Sequence, residues 1–263
     1  PTLVDLAIIA TPDASHREPF LAAVRAGVGA ILCEKPLATR VADAEAMLAA
    51  AGRARTRVFV NFSNRFAGLF RASYRTVRDG AIGRPVYAES NLDDNISVPR
   101  SLWGERSRKW ASESSTAYFL LPHIVDLYHW LFAPARVLFV QAMKQDMALG
   151  YCPDLYDAHL FWDNGLKTRA KAAWIKQMET LVQFHLAVDG AQGGIEARRL
   201  AGYGAAPGWR ALLDPGWSET RAQALAEALR GDGLDVRQEW IADPTQSGDG
   251  RRGRLELGSP GDK

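Results

Sequence analysis

The stretch Cys33-Glu34-Lys35-Pro36 sets a carboxylate beside an amine directly after a short apolar run, with a proline fixing the backbone that follows. A lysine becomes a useful proton acceptor once burial or a neighbouring cation lowers its pKa. Upstream, Ala10-Thr11-Pro12 closes another apolar run, and His16 follows shortly after. If the two runs are adjacent strands, Thr11, His16, Glu34 and Lys35 meet at one place. Taken alone, the same residues are also ordinary loop charges and an ordinary turn. Farther along, His123 and Asp126 lie one helical turn apart and share a face. His129 extends the row to His-x-x-Asp-x-x-His, but the third group is turned by about 120° from the first on a helix of 3.6 residues per turn, so no common metal site is expected. Trp103 and Trp110 stand among Arg100, Arg106, Arg108 and Lys109. Such a mixture stacks on sugars, anchors a loop or binds single-stranded nucleic acid. No basic fold motif accompanies it, which leaves a lid over a substrate or a packed loop.

The elements that position these groups follow from hydrophobic period. Leu3 to Ala10 is nearly continuously apolar, as a parallel strand buried on both faces would be. Residues 15 to 26 read as a helix: Ser15 and Glu18 have capping-box spacing, Pro19 falls in the first turn, and Gly27 ends the periodicity. Ala30 to Cys33 is a second strand, Ala38 to Ala54 a second helix and Val58 to Phe62 a third strand. Alternating strands and helices with short connections predict a doubly wound parallel sheet, and three strands make only part of one. Beyond Phe62 the pattern predicts a helix over 65–79, a strand over 85–92, a polar loop to about Thr116 and a helix over 118–131. Residues 135–147, 156–162, 166–176 and 179–188 are β-rich, with Asp163-Asn164-Gly165 and Asp189-Gly190 as turn signals, and predict an antiparallel sheet. Val182, Phe184, Leu186 and Val188 share one face of it and Gln183 and His185 the other; in a second strand Lys167, Arg169 and Lys171 oppose Thr168, Ala170, Ala172 and Trp174. Residues 219–229 suggest one more helix, and from Asp243 the composition predicts a disordered tail.

Composition bounds the function. At 263 residues, with 47% hydrophobic and 24% charged residues, the chain has enough apolar material for two cores. A net charge of +2 with both signs interspersed gives no field for nucleic acid or membrane, so a small molecule is the expected partner. Cys33 and Cys152 are too few for a disulfide framework, and no apolar run reaches the roughly 20 residues that span a bilayer. A cytoplasmic location is expected.

An apolar strand ending in Ala10-Thr11-Pro12, a helix opening near His16, and a strand ending in Glu34-Lys35-Pro36 together resemble the Gfo/Idh/MocA oxidoreductases, the family of glucose-fructose oxidoreductase and inositol dehydrogenase. The resemblance continues through Asn64-Arg65-Phe66 and Pro122-His123-Ile124-Val125-Asp126 and covers about residues 3 to 195. It implies the C-terminal half of a Rossmann-like parallel sheet in residues 1–62, followed over 63–242 by an α+β substrate domain with an open antiparallel sheet. It implies NAD or NADP as cofactor and a sugar or polyol as substrate, and the half-polar face of the predicted sheet suggests self-association. Carried over, Thr11, Pro12, His16, Glu34, Lys35, Pro36 and Arg65 would border the cofactor, with a cis peptide before Pro36. Asn64, His123 and Asp126 would meet the substrate, and Lys35 and His123 would be catalytic. Oxidising an alcohol requires the hydroxyl proton to leave as hydride departs for the nicotinamide, which suits Lys35 as the acid/base.

Two departures stand out. The family's acidic residue four positions before the helical histidine is Phe119 here, and the glycine-rich approach to that helix is replaced by Ser114-Ser115-Thr116. The phosphate-binding Gly-x-Gly-x-x-Gly turn is also absent from the sequence; Gly27-Val28-Gly29 precedes a strand and lacks the third glycine. The expectation is a chain that starts at the family's fourth strand. Three readings stay open: a dehydrogenase, a relative that has lost redox catalysis and binds or regulates, and redox-assisted glycoside hydrolysis.

Overall fold

The computed structural model describes residues 4–201, 208–243 and 250–258. Strand β1 (Leu6–Ile9), helix α1 (Arg17–Arg25), β2 (Ala30–Glu34), α2 (Val41–Ala54) and β3 (Arg57–Asn61) alternate as their periodicity predicts. The strands pair in parallel in the order β1-β2-β3, with Ile9 opposite Cys33 and Cys33 opposite Val60. Both helices cover the same face, where Phe20, Val24, Met47 and Ala51 bury Ile9, Ile31 and Cys33 in a small core. The other face is bare: Leu6, Ile8 and Phe59 are 50%, 64% and 52% exposed. The expected capping box does not form. Residues 13–15 turn as a 3₁₀ helix instead, and His16, the N-cap of α1, makes no side-chain capping bond.

Helix α3 (Gly68–Arg78) then leads into β4 (Pro85–Asn95), three residues longer than the predicted strand. The segment expected to be a polar loop is largely helical: α4 (Ser97–Arg100), α5 (Glu105–Glu113) and α6 (Thr116–Phe119) precede α7 (Leu121–Phe132). Charge at the turns of α5 hides the periodicity, while Ser107 and Ala111 are buried. Strands β5 (Val137–Gln145), β6 (Leu155–Trp162), β7 (Lys167–Lys176) and β8 (Val182–Gly190) follow the β-rich stretches, and β8 runs through the Asp189-Gly190 pair taken as a turn.

Beyond β8 lie elements that composition did not reveal: β9 (Gly194–Ala201), β10 (Gly208–Leu212), β11 (Val236–Ala242) and β12 (Arg251–Leu257), with α8 (Glu219–Gly231) where a helix was predicted. The disordered tail is thereby corrected, since β12 pairs with both β10 and β11. Its Arg252 is buried and ordered by partners: Nε donates to the Leu213 carbonyl at 3.0 Å, and the guanidinium faces Asp243 at 3.7 Å. The rest of that expected tail, 244–249 and 259–263, lies outside the described residues.

The second sheet has nine strands in the order β11-β12-β10-β9-β8-β4-β7-β6-β5. It is mixed rather than wholly antiparallel, because β4 pairs in parallel with β7. The alternation read from sequence holds. Thr168, Ala170, Ala172, Trp174, Phe184, Leu186 and Val188 are buried in the core shared with α3, α7 and α8, and the opposite face carries Arg169, Lys171, Gln183 and His185.

Candidate functional site

Parallel pairing brings the carboxyl ends of β1, β2 and β3 to one edge, and α6 and α7 pack against it. The His16 ring, 1% exposed, joins two of those ends: Nδ1 lies 2.8 Å from the Pro36 carbonyl oxygen and Nε2 2.9 Å from that of Thr11. Each ring nitrogen faces a backbone oxygen of one of the two loops at the strand ends, and a neutral ring donates to one of them at a time. The Lys35-Pro36 peptide is cis, as the resemblance implied. Thr11 and Pro12 are exposed at the rim, and the Thr11 hydroxyl donates to the Ser15 carbonyl at 3.2 Å. Glu34 accepts from Asn61 Nδ2 at 2.7 Å, which turns its carboxylate along the strand ends.

Lys35 reaches across to the second domain. Its Nζ donates to the Phe119 carbonyl at 2.6 Å and sits 3.9 Å from the centre of the Phe119 ring. Burial lowers the amine from its ordinary value to about 8, only partly opposed by the charges of Asp13, Asp94 and Glu34. Position 119 thus retains one role that its side chain cannot play, since its main-chain oxygen accepts the lysine's hydrogen bond. The ring belongs to an aromatic cluster, 4.7 Å from Trp110 and 6.1 Å from Trp174. Trp110 also donates to Asp13 at 3.2 Å, and Ser114 donates to the other oxygen of the same buried carboxylate. Trp110 of the 93–115 segment is therefore packed across the seam between the domains, while Trp103 stands edge-on to it and remains 45% exposed. Two of the segment's basic residues are engaged as well: Arg100 donates to the Ala148 carbonyl and Arg108 lies over Tyr151.

His123 faces Lys35 from α7. Burial, then the cations of Lys35 and Arg199, push its imidazole down to about 3, so it is neutral at physiological pH. Its Nδ1 is buried without a hydrogen-bond partner among the described residues. Asn64 is buried and accepts from Arg199 at 2.8 Å. Arg65 and Asp126, expected at cofactor and substrate, form a bidentate pair with Nε to Oδ2 at 2.8 Å, which joins the turn after β3 to α7. His129 stands apart, edge-on to Trp162 at 5.4 Å, and no cluster able to hold a metal occurs among the described residues.

Glu34, Lys35, Asn64, Asp94, Phe119, His123 and Arg199 line one cavity of about 400 Å³, within the range of small-molecule sites. Asp94 and Arg199 were not foreseen. Asp94 lies just past the predicted end of its strand, and Arg199 sits on a strand that was not predicted. A larger depression of about 910 Å³ opens on the polar sheet face, but its Lys171 and Lys176 are paired with Asp93 and its Arg169 with Asp157. The smaller cavity is the chemical one, because its polar atoms are desolvated and His123 Nδ1 is unsatisfied. It opens where dinucleotides lie in open α/β sheets, outside the carboxyl ends of the strands. An amine, a neutral imidazole and a carboxylate there fit the nicotinamide ribose and a polyhydroxyl substrate.

Residues 1–62 match the family model described as an oxidoreductase family, NAD-binding Rossmann fold, and residues 70–196 match the GFO/IDH/MocA C-terminal domain. Among curated relatives, D-apiose dehydrogenase of Paraburkholderia graminis is 28% identical over 250 residues, 91% of this chain and 63% of the relative. The 1,5-anhydro-D-fructose reductase of Ensifer adhaerens is 42% identical over 103 residues, 39% of this chain and 30% of the relative. The chain therefore spans less than two thirds of the length of these relatives. Among solved structures, aldose-aldose oxidoreductase from Caulobacter crescentus, complexed with glycerol, is 25% identical with a TM-score of 0.67, covering 80% of this chain and 61% of that one. An inositol dehydrogenase homolog from Azotobacter vinelandii, complexed with NADH and myo-inositol, shares the fold at TM-score 0.66 and 17% identity, covering 82% of this chain and 57% of that one. With the two family models matched over residues 1–62 and 70–196, the chain belongs to the GFO/IDH/MocA oxidoreductase family.

Proposed function

We propose that the protein transfers hydride between a sugar- or polyol-like hydroxyl and NAD or NADP, with Lys35 moving the proton and His123 holding the substrate oxygen. The observation that carries this is a single cavity in which an amine brought down to about 8 faces a neutral imidazole. Thr11, Pro12, Glu34 and Lys35 would hold the nicotinamide ribose end. When bound, the nicotinamide supplies the hydride acceptor.

The chain's own groups set the rest. Neutral Lys35 takes the hydroxyl proton, and a pKa near the working pH lets it return that proton in the reverse direction. His123 is a poor base at about 3 and acts by hydrogen bonding, which orients the reacting oxygen. Arg199 and Asn64 form a polar wall for further hydroxyls, and the rings of Phe119, Trp110 and Trp174 exclude water. The sugar and polyol chemistry in the relatives' names supports the substrate class. Two buried free cysteines and the lack of a helix long and apolar enough to cross a membrane among the described residues support a cytoplasmic setting. The polar open face of the nine-stranded sheet supports self-association.

The test is nicotinamide absorbance with a panel of aldoses and polyols. Lys35→Ala is expected to lower kcat by at least 100-fold, and an unchanged rate rejects the assignment of Lys35. Phe119 in place of the family's acid favours a second reading, a binding protein without turnover. Calorimetric sugar binding with no nicotinamide reduction would select it.

A further inference from the structure

Asp94 is a carboxylate in the wrong chemical company for a structural aspartate. On β4 the residues Ala88, Ser90, Leu92 and Asp94 alternate onto the face covered by helices, so strand period carries this side chain under α6 and α7. It is 2% exposed. Trp174 Nε1 donates to Oδ2 at 3.2 Å, and the carboxylate has no other hydrogen-bond partner among the described residues. Its neighbour Asp93 points to the opposite face, where Lys171 at 2.9 Å and Lys176 at 2.6 Å neutralise it. No such cation pairs with Asp94 among the described residues. The charged or titratable groups sharing its cavity are Lys35 and Glu34 from the parallel sheet, His123 from α7 and Arg199 from β9.

The helix offers an aromatic ring, Phe119, where a carboxylate would serve Lys35, and β4 offers a carboxylate to the same cavity. We infer that Asp94 is the proton-accepting partner of Lys35, replacing from strand β4 the acid that the helix lacks at position 119. The inference rests on the oxidoreductase reading. In the oxidative direction the substrate C–H bond breaks with its electron pair leaving as hydride to the nicotinamide, and the O–H proton passes to neutral Lys35. The resulting ammonium, which shares the cavity with Asp94 without being bonded to it, passes that proton to the Asp94 carboxylate through water admitted to the cavity, and the same water carries it out. Burial raises the Asp94 carboxyl to about 7, against the opposing pull of Trp174 and Lys35, so donor and acceptor are nearly matched. Acting through Lys35, Asp94 is a positioning and relay residue.

The test uses the intact protein and two readouts. In carbon-detected NMR, the resonance missing from Asp94→Asn is expected to titrate near pH 7 and to move upward in Lys35→Met, which removes the neighbouring cation. Asn keeps an acceptor for Trp174, so the fold should survive the substitution. In the absorbance assay, Asp94→Asn is expected to cost at least 10-fold in kcat with little change in KM and to lose the limb of the pH profile near 7. Phe119→Asp is expected to restore part of the rate in the Asp94→Asn background. A midpoint in the ordinary carboxylate range, no response to Lys35→Met, or an unchanged Asp94→Asn rate overturns the inference while leaving the oxidoreductase reading standing. Absence of turnover in the unsubstituted protein, with the carboxyl still coupled to Lys35, instead rejects the oxidoreductase reading.

Discussion

Replacing Lys35 by methionine is expected to make the protein more stable at neutral pH while removing its activity. Folding takes this amine from an ordinary 10.5 to about 8, which means that the folded state disfavours the ammonium. At one pKa unit per 1.36 kcal/mol, the cost at pH 7 is about 3 kcal/mol. The hydrogen bond to the Phe119 carbonyl returns about 1 kcal/mol of it. A net gain of about 2 kcal/mol is expected for Lys35→Met, which keeps the apolar stem and drops the charge. The sign with pH follows from proton counting. Between about 8 and 10.5 the unfolded chain holds a proton on this residue that the folded chain has released, so native stability from Lys35 rises through that window and is flat below it. By pH 10.5 the electrostatic penalty has fallen to about 0.4 kcal/mol. Urea unfolding of both proteins at pH 7 and 10.5 measures the difference, in which the other titrating groups largely cancel. A variant equal to or weaker than the parent at pH 7, with a difference that does not depend on pH, would show that Lys35 is not desolvated as described.

Arg65→Ala and Asp126→Ala are each expected to lose about 1–3 kcal/mol, since Asp126 is buried and Arg65 remains partly in solvent; a double-mutant cycle by denaturant unfolding should return a coupling above about 1 kcal/mol. Gly190→Ala drives a Cβ to within 2.0 Å of the Ile82 carbonyl oxygen, and a loss of at least about 2 kcal/mol in thermal or urea unfolding is expected.

The parallel strands were legible as unbroken apolar runs, although only one face of the sheet is covered and Leu6, Ile8 and Phe59 of the other stand exposed; Glu34-Lys35-Pro36 was legible because it directly follows such a run. Asp94 was not. Aspartate is rare inside strands, so the predicted strand stops at Leu92, whereas a tryptophan N–H and the local sheet register carry it through Asn95. Strand β12 was hidden for a similar reason: Arg251-Arg252-Gly253-Arg254 reads as solvent-seeking until the carbonyls that absorb Arg252 are known. Arg65 and Asp126 show the converse limit. A motif indicates which residues matter, but only the folded pairing shows that these two hold each other.

Bonds from Lys35 to the Phe119 carbonyl and from Trp110 and Ser114 to Asp13 lace the domains together at the crevice. A cleft tied at its own mouth is poorly suited to open by hinge bending. Traffic through it would fall to side-chain rotations on the picosecond-to-nanosecond scale rather than to microsecond domain swings. The same lacing couples association to chemistry, because a substrate that draws Lys35 away from Phe119 loosens the seam at the moment it arrives.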